Sequence, residues 1–160
     1  MIRKAKRKPY KQRWKGGIPP TEQAIEAGRE GFRQRGILEE LEGLASEAGL
    51  YPLFTGPRTA GAATTPRCYL YFSQDAKERG EENLACIGGD AQNYQVIVRP
   101  LGRNKNRVNL VPSKYDRHLI DINTEVPGWR HLIVRSEADR DMALGMLRDI
   151  RIEYAARFDV

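Results

Sequence analysis

An α+β fold is predicted by three features of the sequence. Helix-spaced apolar residues come before residue 50, short apolar or alternating segments follow between 68 and 134, and a long single-sided apolar stripe runs from 136 to 158. Helices that precede and follow a run of strands, instead of alternating with them, favour a mostly antiparallel sheet with the helices segregated to one face. The expectation is therefore two N-terminal helices, a sheet of about five or six strands, and a C-terminal amphipathic helix packed on one face. At 160 residues one core suffices, since a chain of this size buries roughly two-thirds of its unfolded surface without staples. Residues 1–17 read as a basic arm and residues 18–160 as a single domain.

Gly16-Gly17 and Pro19-Pro20 separate arm from domain, because glycines loosen the backbone and prolines stop a helix running through. Thr21 is placed to cap a first helix over about 21–34, with Glu22 and Glu26 where the helix dipole favours acids. Its stripe is thin (Ala24, Ile25, Phe32), and Gly28 and Gly31 lower its propensity. The second helix is better specified. Ile37, Leu38, Leu41, Leu44, Ala45 and Ala48 recur at three- and four-residue steps, glutamates lie outside the stripe, and Gly49 is the expected stop.

A short apolar segment, 50–54, leads into GPRTAGAATTPR at 56–67, whose small residues predict a long loop. Arg58, Arg67 and Thr64-Thr65 give that loop groups that suit a phosphate backbone, and a plain connection fits it equally. Strands are predicted at 68–72, 84–87 and 94–101. The last is apolar on both faces and so central, and further strands are expected at 108–111, 118–122 and 131–134. Gly88-Gly89-Asp90, 104–106 and Pro127-Gly128 supply turn chemistry. Ser136, with Asp139 three residues on, resembles a capping box, and Ala143, Leu147, Ile150, Tyr154 and Phe158 make one apolar stripe behind it.

Charge is the clearest functional clue. The arm holds Arg3, Lys4, Lys6, Arg7, Lys8, Lys11, Arg13 and Lys15 and no acid, eight of the 27 cations, so the remaining 19 are outnumbered by the 21 acids. Such an asymmetry points to a tail that binds a polyanion. Tyr10 and Trp14 interrupt the cations, and rings of this kind stack on bases while Lys and Arg contact phosphates. A solvated leader is the competing account of the same residues. The pairing of a globular body with a basic arm resembles ribosomal and other RNA-assembly proteins in composition.

A second cationic strip, Arg99, Arg103, Lys105, Arg107, Lys114 and Arg117, has Asp116 as its one acid and is predicted to lie on two strands and their connection. Such a hairpin suits a phosphate backbone, though edge strands also carry cations merely to discourage pairing. The expected partner is nucleic acid, RNA slightly before DNA because no helix-turn-helix or zinc module is evident. A larger nucleoprotein assembly with protein partners is the expected setting.

Enzymatic signals are weak. Asp75-Ala76-Lys77 loosely matches part of a metal-dependent nuclease motif, which makes a small nuclease the alternative. A phage or mobile-element accessory factor docking on an acidic protein is a third reading. His118 and His131, the only histidines, show no ligand spacing even with Asp116, Asp121 and Glu125 nearby. No catalytic residue, metal or cofactor is expected. Cys68 and Cys86 lack a CxxC spacing and read as reduced thiols of a cytoplasmic protein. The basic N-terminus is not followed by an apolar stretch of the secretory type, and no run approaches the roughly 20 apolar residues of a membrane span.

Overall fold

The computed structural model describes residues 5–12, 19–56, 65–122 and 128–160. Its secondary structure is α1 (Glu22–Gln34), α2 (Leu38–Ala48), β1 (Tyr51–Thr55), β2 (Arg67–Tyr71), α3 (Gln74–Glu78), β3 (Ala85–Gly89), β4 (Tyr94–Val98), β5 (Ile120–Asp121), β6 (Arg130–Val134) and α4 (Glu137–Arg157). The strands form one antiparallel sheet in the order β1-β2-β3-β4-β6-β5. This is the expected α+β arrangement, with two leading helices and a closing one.

Register assigns the two faces. One row crosses the sheet as Phe54, Cys68, Ile87, Val96 and Leu132, all buried in the cluster that includes Phe32 of α1, Leu41 and Leu44 of α2, and Met146, Leu147 and Ile150 of α4. The adjacent row, Leu53, Tyr69, Cys86, Ile97, His131 and Ile120, faces the other way, because successive strand residues alternate. The helices thus cover one face, and each fully buried Leu or Ile there contributes about 1.5–3 kcal/mol.

The caps follow the sequence closely. Thr21 Oγ1 accepts from Ala24 N at 3.1 Å, and Gly49 ends α2 at φ 73°. Ser136 Oγ accepts from Asp139 N at 3.2 Å, while Asp139 Oδ2 accepts from Arg135 N at 3.0 Å. Those contacts hold the Asp139 carboxyl below its ordinary range, the Arg135 amide being the largest cause. Every residue of the predicted C-terminal stripe is buried. Arg140 ties α4 to α2 by ion pairs of 2.5 Å to Glu40 and to Glu47.

The short apolar segment at 50–54 proves to be part of edge strand β1, Tyr51–Thr55, with Leu53 and Phe54 buried on opposite faces. Two local expectations fail. Residues 108–111 form no strand; Val108 makes only one bridge, to Leu101. Residues 113–118 are a 3₁₀ segment that leaves β5 just two residues long, because Pro112 denies the ladder a donor and Tyr115 turns inward. The predicted loop over 56–67 lies partly outside the described residues; Arg67 belongs to β2. The Gly16-Gly17 linker, Glu125 and Pro127 also lie outside them. Among the described residues no helix is long and apolar enough to cross a membrane.

Candidate nucleic-acid interface

The described part of the arm, residues 5–12, is hydrogen-bonded to the domain along its length. Arg7 pairs in parallel with Phe158, through Arg7 N donating to Arg157 O at 3.0 Å and Asp159 N donating to Arg7 O at 2.9 Å. Lys11 pairs antiparallel with Glu81, and Glu82 N donates to Tyr10 O at 2.9 Å. Gln12 Oε1 accepts from the Tyr71 hydroxyl at 2.9 Å and from Asn83 Nδ2 at 3.4 Å. Burial, offset in part by the Gln12 contact, raises the Tyr71 hydroxyl's pKa far above the ordinary range, so it remains a donor.

Tyr10 is the keystone of this attachment. Its ring meets Phe158 edge-on, with centroids 5.8 Å apart, and its hydroxyl donates to Asn106 O at 2.5 Å. Phe158 in turn packs on Tyr154, 4.7 Å between centroids. Beneath the arm, Glu81 is only 2% exposed. It accepts from the Tyr154 hydroxyl at 3.0 Å and from Arg79 Nε at 2.6 Å, partners that a buried carboxylate requires.

The Tyr10–Asn106 contact joins the two cationic segments found in the sequence. Residues 102–107 form a compact turn with a 3₁₀ segment at Asn104–Asn106, closed by reciprocal Leu101–Val108 bonds of 2.9 and 2.8 Å. Arg103, Lys105 and Arg107 are exposed on it. Alongside runs a groove of about 390 Å³ lined by Lys6, Arg7, Val108, Arg157 and Phe158. Among the described residues Arg7, Lys8, Arg103, Lys105 and Arg107 form no ion pair. Of the acids beside this surface, Glu82 Oε2 accepts from Gly102 N at 2.9 Å and Glu81 is buried, while Asp159, whose amide donates to Arg7 O, is exposed.

The other predicted cations are dispersed. Lys6 Nζ donates to Ala155 O at 3.1 Å and Lys11 Nζ to Arg79 O at 2.6 Å, the first at the α4 C-terminus where the helix dipole attracts a cation. Lys114 is paired with Asp149 at 3.0 Å and lies over the Tyr115 ring. Arg117 Nε donates to His118 Nε2 at 3.1 Å. Arg99, in line with β4, lies on the sheet face away from the helices, its guanidinium 5.7 Å from the Trp129 ring centre. Arg3, Lys4, Arg13, Trp14 and Lys15 lie outside the described residues.

The residues weighed for enzymatic chemistry do not converge. Asp75 and Lys77 sit on the five-residue α3, and among the described residues no three His, Cys, Asp or Glu side chains gather in a metal-binding group. His118 closes the 3₁₀ segment and His131 lies in β6, its Nδ1 buried without a hydrogen-bond partner among the described residues. Cys68 and Cys86 point to opposite sheet faces. Burial raises the Cys86 thiol to about 11 even though Arg67 and Arg99 pull it down. The chain matches no protein-family model, and no curated protein or solved structure matches it.

Proposed function

We propose that this protein binds nucleic acid, RNA in preference to DNA, through the joined surface of the arm and the 102–107 turn, as a non-enzymatic member of a larger nucleoprotein assembly. The observation that carries this reading is the Tyr10 hydroxyl on the Asn106 carbonyl. It brings two acid-poor cationic segments, distant in sequence, onto one surface with several cations left unneutralised. Phosphate contacts of this kind supply sequence-independent affinity and positioning. In this reading Tyr10 orders the surface, since its ring is occupied by Phe158, and does not stack on a base. RNA is preferred because the surface is made of a turn and an irregular segment, which follow an uneven backbone, and not of a helix that fills a duplex major groove.

The test replaces charge without disturbing the attachment. The triple variant Arg103→Gln, Lys105→Gln, Arg107→Gln is titrated against single-stranded RNA at several salt concentrations. Each phosphate that a cation neutralises adds roughly 0.7 to the log-log salt slope on a single strand, so removing these cations lowers the slope by about 2. Affinity and slope equal to the wild type would overturn the proposal.

A further inference from the structure

The sheet face turned away from the helices carries a second feature, separate from the arm surface. A cleft of about 310 Å³ lies there. Cys86 of β3 and Ile97 of β4 are cross-strand neighbours and form its floor. Arg67 and Tyr69 of β2 border one side, Arg99 and Trp129 the other. Among the described residues no carboxylate lines it. Among the described residues the two guanidiniums make no ion pair and donate only to backbone carbonyls, Arg67 to Pro66 O at 3.3 Å and Arg99 to Asn83 O at 3.4 Å.

Half-buried guanidiniums without a carboxylate cost free energy, which an anionic ligand offsets. The placement of Arg67 depends on a missing side chain. It lies over Gly88, where an added Cβ would fall 2.7 Å from its Nη1, so the glycine leaves the guanidinium room above β3 beside the cleft. Arg99 is oriented from the other side by Trp129 at 5.7 Å. The result is a basin with two forked cations, aromatic rings on both flanks and an apolar floor. Its volume is at the small end of ligand sites, which begin at about 300 Å³.

We infer that this cleft binds one nucleotide bearing a terminal phosphate, with Arg67 and Arg99 on the phosphate and the base against the aromatic flank and the Cys86–Ile97 floor. A terminal phosphate monoester carries about −1.5 to −2 charge near neutral pH, which matches two guanidiniums better than the single charge of an internal phosphodiester does. Planar forks also pair bidentately with phosphate oxygens, while the rings take a base face of any sequence. The nucleotide is either free or the phosphorylated end of a strand. The inference does not rest on the arm surface, and the two fail separately.

The test uses the full chain with Trp14→Phe, which leaves Trp129 as the only tryptophan, and follows its emission. Adenosine 5′-monophosphate is titrated beside adenosine, inorganic phosphate, and a short oligonucleotide with and without a 5′-phosphate. The monophosphate is expected to change the emission saturably and to bind at least about tenfold more tightly than adenosine or phosphate alone. Arg67→Gln and Arg99→Gln each lose about tenfold or more, with Arg67→Lys and Arg99→Lys between them and the wild type. Thermal unfolding checks that each variant is folded, and the lysine variants serve if a glutamine variant is not. The Arg103, Lys105, Arg107 triple variant binds the monophosphate as the wild type does, which separates this site from the arm surface. Tighter binding of the 5′-phosphorylated oligonucleotide than of the free monophosphate assigns the site to strand ends, and the reverse order to free nucleotides. No saturable response to either phosphorylated ligand, equal binding of monophosphate and adenosine, or undiminished binding by the folded arginine variants would overturn the inference.

Discussion

The Tyr10 hydroxyl donates to the Asn106 carbonyl at 2.5 Å, across 96 residues of chain, and the same ring is packed edge-on against Phe158. One side chain therefore fixes the arm to the end of α4 and to the 102–107 turn at once. Tyr10→Phe keeps the ring contact and removes the hydrogen bond, so a stability loss of about 1 kcal/mol is expected in urea unfolding. Tyr10→Ala removes the packing as well and costs more, about 2–3 kcal/mol for a partly buried ring. If the arm were an independent tail, both variants would unfold with the wild-type midpoint.

Gly28 faces the backbone of Thr55, where α1 crosses β1. An added Cβ would lie 2.4–2.6 Å from three Thr55 backbone atoms, and backbone cannot swing aside as a side chain does. Gly28→Ala is therefore expected to destabilise by about 3 kcal/mol or more through overpacking, although alanine is the better helix former by about 1 kcal/mol. The measurement is the urea midpoint with its slope; a stabilised variant would show that α1 can move off β1.

That glycine also shows where the sequence is legible and where it is silent. Read locally, Gly28 only weakens α1; its function depends on a strand more than twenty residues later. The caps at Thr21, Ser136 and Gly49 are readable because they act within one helical turn. The stripe of α4 is readable because its period repeats over about four turns. The 3₁₀ segment at Ser113–His118 is not, since its sequence SKYDRH has no apolar period and its one buried side chain, Tyr115, is held inward by tertiary packing. For the candidate interface, the cations are visible as charge, but their grouping depends on Tyr10 pairing with a turn that no local pattern connects to it. Arg67 and Arg99 belong to two different basic stretches of the sequence; only the β2-β3-β4 order sets them on opposite sides of one cleft.

Glu81 tests the seat beneath the arm. Its carboxylate accepts from Tyr154 and Arg79 while its backbone pairs with Lys11. Glu81→Ala leaves the buried Tyr154 hydroxyl without its acceptor, and a loss of about 2–3 kcal/mol is expected from the orphaned donor and the cavity. Glu81→Gln keeps an acceptor oxygen and should recover part of that loss. Amide hydrogen exchange should localise the change, with the Gln12 and Glu82 amides, which bond across the arm, exchanging faster in the alanine variant. Unchanged protection at both amides would show that the arm is held without Glu81.

Asp149 gives the fold a pH dependence whose sign can be stated. Tyr115 donates to Asp149 Oδ2 at 2.6 Å, and Lys114 lies 3.0 Å away; these lower the carboxyl's pKa, the tyrosine bond being the larger cause. Burial first, then the same contact, pushes the Tyr115 hydroxyl up to about 12, so it remains a donor throughout the acid and neutral range. Because the folded pKa of Asp149 is below the unfolded one, the interaction's contribution is complete above the ordinary carboxylate range and is lost as pH falls through the folded value. Tyr115→Phe should therefore cost about 1 kcal/mol near neutral pH, discounted for the partial exposure of the carboxylate. The gap between wild type and variant should hold steady from about pH 8 to 5 and narrow below about pH 4. Urea midpoints measured across that range decide it: no gap at any pH would mean that Tyr115 stabilises by packing alone, and a gap that does not change with pH would mean that the hydroxyl's contribution does not depend on the Asp149 carboxylate.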